Sequence, residues 1–225
     1  MAKQFGDLMK KAQLLCGFFL LCISTASANA DLDSVLAKQC WFSGTFTQEK
    51  FLKGLPVPLK SDGKFLFDCD RGLIWHTASP IVDTKIYTIS SSHFALNDKH
   101  EIEVLDSLIQ TTIASLLLDI MSANTQAIAN NFAIKRSGSN SISLTPNSAF
   151  LKKGIQSILL KKGLSKKALT IELVDNKSQS TRIHSVETHQ SDSKQSALAN
   201  CQTHFINKLT CDILDNPSSY ETVSN

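Results

Sequence analysis

The sequence predicts one α+β domain, mostly antiparallel sheet, with an amphipathic helix laid over one face. Three observations carry this. Short segments of period-two hydrophobicity recur from Trp41 to Glu187, separated at even spacing by turn residues, as in an antiparallel sheet, sandwich or barrel. One stretch, Leu105 to Met121, switches to helical spacing. No linker and no repeat longer than a hairpin divides the chain.

Ahead of the domain, Lys3, Lys10 and Lys11 precede an apolar run from Ala12 to Ile23 and a small-residue tract ending in Ala28-Asn29-Ala30. Positive, apolar and A-x-A parts in that order form a secretory signal, cleaved between Ala30 and Asp31. The apolar run is shorter than the roughly 20 residues a spanning helix needs. Leu20 and Leu21 stand before Cys22 where lipoprotein attachment would require small residues. A soluble, monomeric periplasmic product is therefore expected: a signal at 1–30, a domain at 31–214 and a loose polar tail at 215–225.

Removing the signal takes the formal charge from +3 to +1. No Lys/Arg run is interleaved with aromatics, so the basic footprint that nucleic acid requires is absent, and no nucleic-acid partner is expected. The densest basic cluster, Lys161, Lys162, Lys166 and Lys167, flanks Gly163 and reads as a solvated hairpin turn. Of the six cysteines, Cys40, Cys69, Cys201 and Cys211 outlast the signal. An even number in an exported chain favours disulfides, and no C-x-x-C spacing supports a redox or zinc site.

The elements follow in order. Asp31 to Cys40 reads as a short helix with Leu32, Val35 and Leu36 on one face. From Trp41 the period is two: Phe42, Gly44, Phe46 and Gln48 share a face. Gly54 to Pro58, with two prolines, must be a turn. Phe65 and Phe67 then share a face opposite Lys64, Leu66 and Asp68, and Asp70-Arg71-Gly72 turns into Leu73 to Thr77. Short strands follow at Lys85 to Ser90, Phe94 to Leu96 and Glu101 to Val104.

The helix after them carries Ile113, Leu116, Leu117, Ile120 and Met121 within a wide apolar stripe. Strands resume at Phe132 to Lys135 and Ser141 to Leu144. Ile155 to Leu160, Leu169 to Val174 (with Ile171 facing inward) and Arg182 to Glu187 form a meander. A last helix is expected over Lys194 to Asn207. If the first hairpin turns near Leu55, facing residues sum to about 110, which pairs Cys40 with Cys69 and leaves Cys201 with Cys211. Ten helical residues span ~15 Å, whereas a disulfide tolerates at most ~7 Å between Cα atoms. The last helix must break between its cysteines.

Catalytic patterns are missing from this sequence. Six histidines are scattered without ligand spacing, and no nucleophile elbow or P-loop is present. No catalytic residue, metal or cofactor is expected. Ser61-Asp62-Gly63-Lys64 matches S-x-x-K only formally, since it enters a strand across a glycine. The distinctive feature is apolar: Phe42, Phe46, Phe65, Phe67, Trp75 and Ile171 point one way. Alternation alone fits a packed core and a lidded cavity equally well.

Several segments nevertheless resemble a known family. Gly44-Thr45-Phe46-Thr47-Gln48-Glu49-Lys50 is similar to the first-strand F-T-Q motif of outer-membrane lipoprotein carriers, the LolA family. Gly63-Lys64-Phe65-Leu66-Phe67, Leu73 to Pro80 with its Trp-to-Pro interval, and Ser143-Leu144-Thr145-Pro146 resemble later segments of that family in the same order. The resemblance implies an unclosed antiparallel β half-barrel, with an amphipathic helical lid over an apolar cavity. It further implies a non-enzymatic carrier that shelters the acyl chains of a lipoprotein or related glycolipid. The cargo would pass from an inner-membrane transporter complex to an outer-membrane acceptor. Phe42, Phe46, Phe65, Phe67, Trp75 and Ile171 would line the cavity. Ile113, Leu116, Leu117, Ile120 and Met121 would form the lid. The family's Arg-Pro before the tryptophan is replaced by Cys69-Asp70, so Arg71 is the candidate lid latch and a divergent branch is implied. A related half-barrel could instead be a sensory module that binds a protein segment.

Overall fold

The computed structural model describes residues 31–221 apart from 91, 166, 206 and 207; the export signal expected through Ala30 lies outside these. Eleven strands form one antiparallel sheet in the order β6-β5-β4-β3-β2-β1-β11-β10-β9-β8-β7. The strands are β1 (Phe42–Phe51), β2 (Leu59–Asp68), β3 (Gly72–Ser79), β4 (Asp83–Thr88), β5 (His93–Leu96), β6 (Ile102–Val104), β7 (Phe132–Gly138), β8 (Ser141–Pro146), β9 (Ile155–Lys162), β10 (Ala168–Asp175) and β11 (Ser180–Gln190). Two meanders are joined where β11 returns beside β1, pairing Thr45 with Val186. β6 and β7 are the two edges, so the half-barrel is unclosed.

Side-chain alternation separates the two faces. On the inner face, Phe46, Phe65, Phe67, Leu73, Trp75 and Tyr87 form one buried cluster, and Ile142, Leu144, Ile158, Leu160 and Ile171 belong to another. Helices α1 (31–35), α2 (Leu108–Met121) and α3 (Thr125–Asn131) cover this face: Leu32, Val35, Leu116, Ile120 and Ile128 join the aliphatic cluster, and Ala114 and Met121 the aromatic one. On the outer face, Leu66, Ile74, Ile86, Phe94 and Leu96 pack under α4 (Lys194–His204) and α5 (Lys208–Asp215), which contribute Cys201, Cys211, Ile213 and Leu214.

The first hairpin pairs Phe42 with Phe67, which extends to Cys40 opposite Cys69; those two cysteines are bonded, with Cα atoms 5.2 Å apart. Two glycines let the aromatic rows close. Gly44 faces Phe65 and Gly63 faces Phe46. A Cβ on Gly63 would lie 2.8 Å from the Phe46 ring and strike the His76 carbonyl. Each ring thus lies over the partner strand's glycine, which no other residue could replace without moving backbone.

Several boundaries differ from the sequence expectation. The central helix begins at Leu108 because Ser107 and Gln110 form a reciprocal capping box, while Leu105 still donates to the His93 carbonyl and so prolongs the sheet. The unexpected α3 starts at Asn124, whose side chain accepts from the Ala127 N–H. The last helix does break, with Phe205 as an extended cap between α4 and α5, and Cys201–Cys211 bridges them at a Cα separation of 6.0 Å.

Residues 215–221 are no loose tail. Asp215 ends α5 and holds Arg71, Pro217–Tyr220 forms a 3-10 turn, and Glu221 accepts a hydrogen bond from Ser92. Arg71 is likewise no latch for α2. Its guanidinium pairs with Asp68 and Asp215, each at 2.6 Å, fastening the outer-face helices instead. Burial opposes its charge, yet the hydrogen bonds to the two carboxylates outweigh this and raise its pKa.

Three histidines are partly withdrawn from water: His76 and His204 beside Phe205 in this outer layer, and His93 on the inner face against Tyr87. Burial lowers the pKa of His76, His93 and His204, with Lys64 adding to the effect at His76 and His204. His93 is 4% exposed and its Nδ1 has no hydrogen-bond partner among the described residues. In the unfolded chain each takes its proton near 6.5, above the folded-state value, so the unfolded state binds more protons. Stability is therefore expected to be full above pH 6.5 and to fall as acid carries the protein through the folded-state values. Urea midpoints at pH 7.5 and 5.0 check this. The midpoint should drop at pH 5.0, and His93→Gln should shrink the difference; an unchanged or higher midpoint at pH 5.0 contradicts it.

Candidate functional site

Between α2 and the inner face of the sheet lies a cavity of about 320 Å³. β3 and β4 wall it on one side with Trp75, Thr77 and Tyr87. Across from them stand the aliphatic side chains Ile158 of β9, Ile171 and Leu173 of β10, and Ile183 of β11. Ile113, Leu116, Leu117 and Ile120 of α2 form the roof. The floor of one half is aromatic: the Phe46 ring stacks on Trp75 at 3.9 Å between centroids. Polar groups sit towards one end, where Gln48, Thr77, Asp83, Lys85 and Thr181 ring the cavity and Asp83 pairs with Lys85 at 2.6 Å.

The local sequence explains this shape. Period two on β9, β10 and β11 turns branched aliphatics inward, while the charged partners Glu172 and Arg182 meet on the outer face at 3.2 Å. On α2, Ile113, Leu116, Leu117 and Ile120 are spaced three and four apart and face the sheet together. The Tyr87 phenol is buried here, and burial pushes its pKa up, so it meets the cavity as a neutral hydroxyl.

Among the residues singled out from sequence, Trp75, Ile171, Ile113, Leu116, Leu117 and Ile120 therefore meet around one space. Phe46, Phe65 and Phe67 do not line it. They are 2%, 1% and 1% exposed and pack as solid core behind Trp75. Phe42 and Met121, with one side of Phe65, border a separate void of about 60 Å³ near α1, beside Glu187 and its ion-pair partner Lys167. Tyr87, Ile158, Leu173 and Ile183 are lining residues that sequence reasoning passed over, although a period of two from the inward Ile171 puts Leu173 on the same face. No group of three His, Cys, Asp or Glu side chains among the described residues is arranged to hold a metal.

No protein-family model and no curated protein sequence matches the chain. Among solved structures, it is similar to a LolA superfamily protein, NE2245 from Nitrosomonas europaea. That match has 9% identity and a TM-score of 0.46 over 77% of this chain and 96% of the other. It is also similar to MucB, solved in complex with MucA(peri), at 13% identity and a TM-score of 0.30 over 76% of this chain. The alignment spans 57% of that MucB chain. Both likenesses are distant, and the half-barrel described above stands on its own strand order and register.

Proposed function

We propose that this protein is a periplasmic carrier whose cavity under α2 shelters an acyl chain of a lipoprotein or related lipid. The supporting observation is the cavity itself, roofed by one helix and walled by Trp75, Tyr87, Ile158, Ile171, Leu173 and Ile183, with polar groups gathered at one end. An acyl chain bound there keeps its polar head at that end. Ligand sites commonly occupy about 300–1,000 Å³; at 320 Å³ this one is small, so a full-length chain enters as α2 swings outward. Hiding a sixteen-carbon chain from water is worth roughly 12 kcal/mol at ~0.8 per methylene. That gain offsets the lost contacts of the roof. The two disulfides fit an oxidising compartment, and no described helix is long and apolar enough to cross a membrane. The sequence resemblance to lipoprotein carriers supports loading at an inner-membrane transporter complex and release to an outer-membrane acceptor.

A second reading, a sensory module that binds a protein segment, is favoured by one feature: β7 is an open seven-residue edge to which an extended peptide could add a strand. Mass spectrometry on the organic extract of the protein purified from periplasm separates the two. The carrier reading expects acyl lipid in stoichiometric amount; a lipid-free protein that holds a peptide in that ratio contradicts it.

A further inference from the structure

Just outside the polar end of the cavity lies a wider cleft of about 840 Å³, which shares Gln48, Thr77 and Asp83 with it as walls. The outer lip of this cleft is apolar. The connection from β1 to β2 and the start of β2 expose Leu55, Val57 and Leu59 at 48%, 68% and 52%. The adjacent connection from β3 to β4 exposes Ile81 and Val82 at 75% and 44%. Leu59, Ile81 and Val82 line the opening itself, and Leu55 and Val57 stand on the connection that projects beyond it; exposed apolar side chains gathered at one end of the sheet mark an interaction site. Pro56 and Pro58 restrict the first connection, so little ordering entropy is lost when it docks.

The charge around the lip selects the partner. Lys50, Lys53 and Lys60 are exposed beside the apolar tips. Glu49 is occupied by Lys60 at 3.2 Å and Asp83 by Lys85 at 2.6 Å, whereas Lys50 and Lys53 have no acidic side chain within ion-pair distance among the described residues. Asp98, which also lines the cleft, has no cationic partner among them either, so two free lysines stand against one free carboxylate. Apolar tips flanked by unneutralised lysines are the pattern of peripheral binding to anionic lipid, where the tips enter the headgroup layer and the lysines meet phosphates.

We propose that this lip docks on an anionic phospholipid bilayer, with Leu55, Val57 and Ile81 inserted and Lys50 and Lys53 on the lipid phosphates. The docking surface deepens the carrier reading, on which it rests, by naming where the cavity mouth meets the source or destination of its chain.

The test is flotation of the full exported protein with vesicles of phosphatidylglycerol and phosphatidylcholine, or of phosphatidylcholine alone. Binding is expected to the anionic vesicles and to weaken with salt. The triple variant Leu55→Ser, Val57→Ser, Ile81→Ser should lose at least roughly ten-fold in affinity, as withdrawal of three apolar side chains implies. Leu164→Ser, at a fully exposed leucine on the opposite rim, should bind as the parent does. Absence of vesicle binding, equal binding by the triple variant, or equal loss in Leu164→Ser overturns the proposal, as does a lip that captures a peptide but no vesicle. A long-chain acyl probe in free solution isolates the carrier reading: its binding should survive the triple variant. If vesicles bind as expected and the probe does not, the docking surface stands and the carrier reading falls.

Discussion

Phe67→Ala is expected to lower the free energy of unfolding by about 3–5 kcal/mol, and Leu117→Ala by clearly less. Phe67 is 1% exposed, meets Phe42 at 5.3 Å between ring centroids, and sits in a cluster with Phe65 and Leu73 while bordering neither the cavity nor the smaller void near α1. Truncation there leaves a void that close-packed neighbours cannot fill. Leu117 is half-buried and already borders the cavity, so it has fewer contacts to lose. Binding of a long-chain acyl probe should show the reverse order: weakened in Leu117→Ala, and kept by Phe67→Ala below its unfolding transition. Urea denaturation and probe titration on both variants check this. Equal stability losses would mean that α2 is packed as tightly as the aromatic core, and that the space beneath it is no binding cavity.

Arg71→Ala is expected to cost about 3 kcal/mol, against about 1 kcal/mol or less for Asp215→Ala. The carboxylate of Asp68 is almost wholly buried. One oxygen accepts the backbone N–H groups of Asp70 and Arg71, and the other is met, among the described residues, only by the Arg71 guanidinium, itself 12% exposed. Removing the arginine strands a buried charge and releases α5 at the same time. Asp215 is 44% exposed, so water replaces what it loses. Arg71→Lys should fall between, because an ammonium keeps the charge but cannot fork to two carboxylates. Thermal unfolding of the three variants decides the order. Arg71→Ala no more harmful than Asp215→Ala would show that Asp68 finds another partner.

Local pattern accounted for more of the fold than of the site. Strand alternation and one turn position were enough to place Cys40 opposite Cys69, because antiparallel register follows from where a hairpin turns. The geometric limit of a disulfide was enough to require the break at Phe205. Alternation also identified the inner face, but not how far along each strand the helix lies. Phe67 and Trp75 carry the same signal, yet one is core and the other borders the cavity, because α2 leaves its gap over the middle of β3 and β4. The contact of Arg71 with Asp215 spans 144 positions and has no local signature. The caps at Ser107 and Asn124 were readable in principle, since both present an oxygen at the residue before a helical run.

The central claim is that an acyl chain lies beneath α2 against Trp75. The chain has two tryptophans, and Trp41 does not line the cavity, so Trp41→Phe leaves Trp75 as the reporter. Titration of that variant with a long-chain fatty acid brominated along its tail measures the contact directly, because bromine quenches indole emission only at close range. The account predicts saturable quenching at one chain per protein, abolished by Leu117→Glu, which places an unpaired charge in the roof. Emission from Trp75 that is unchanged at saturating ligand, or quenched equally in Leu117→Glu, would contradict it.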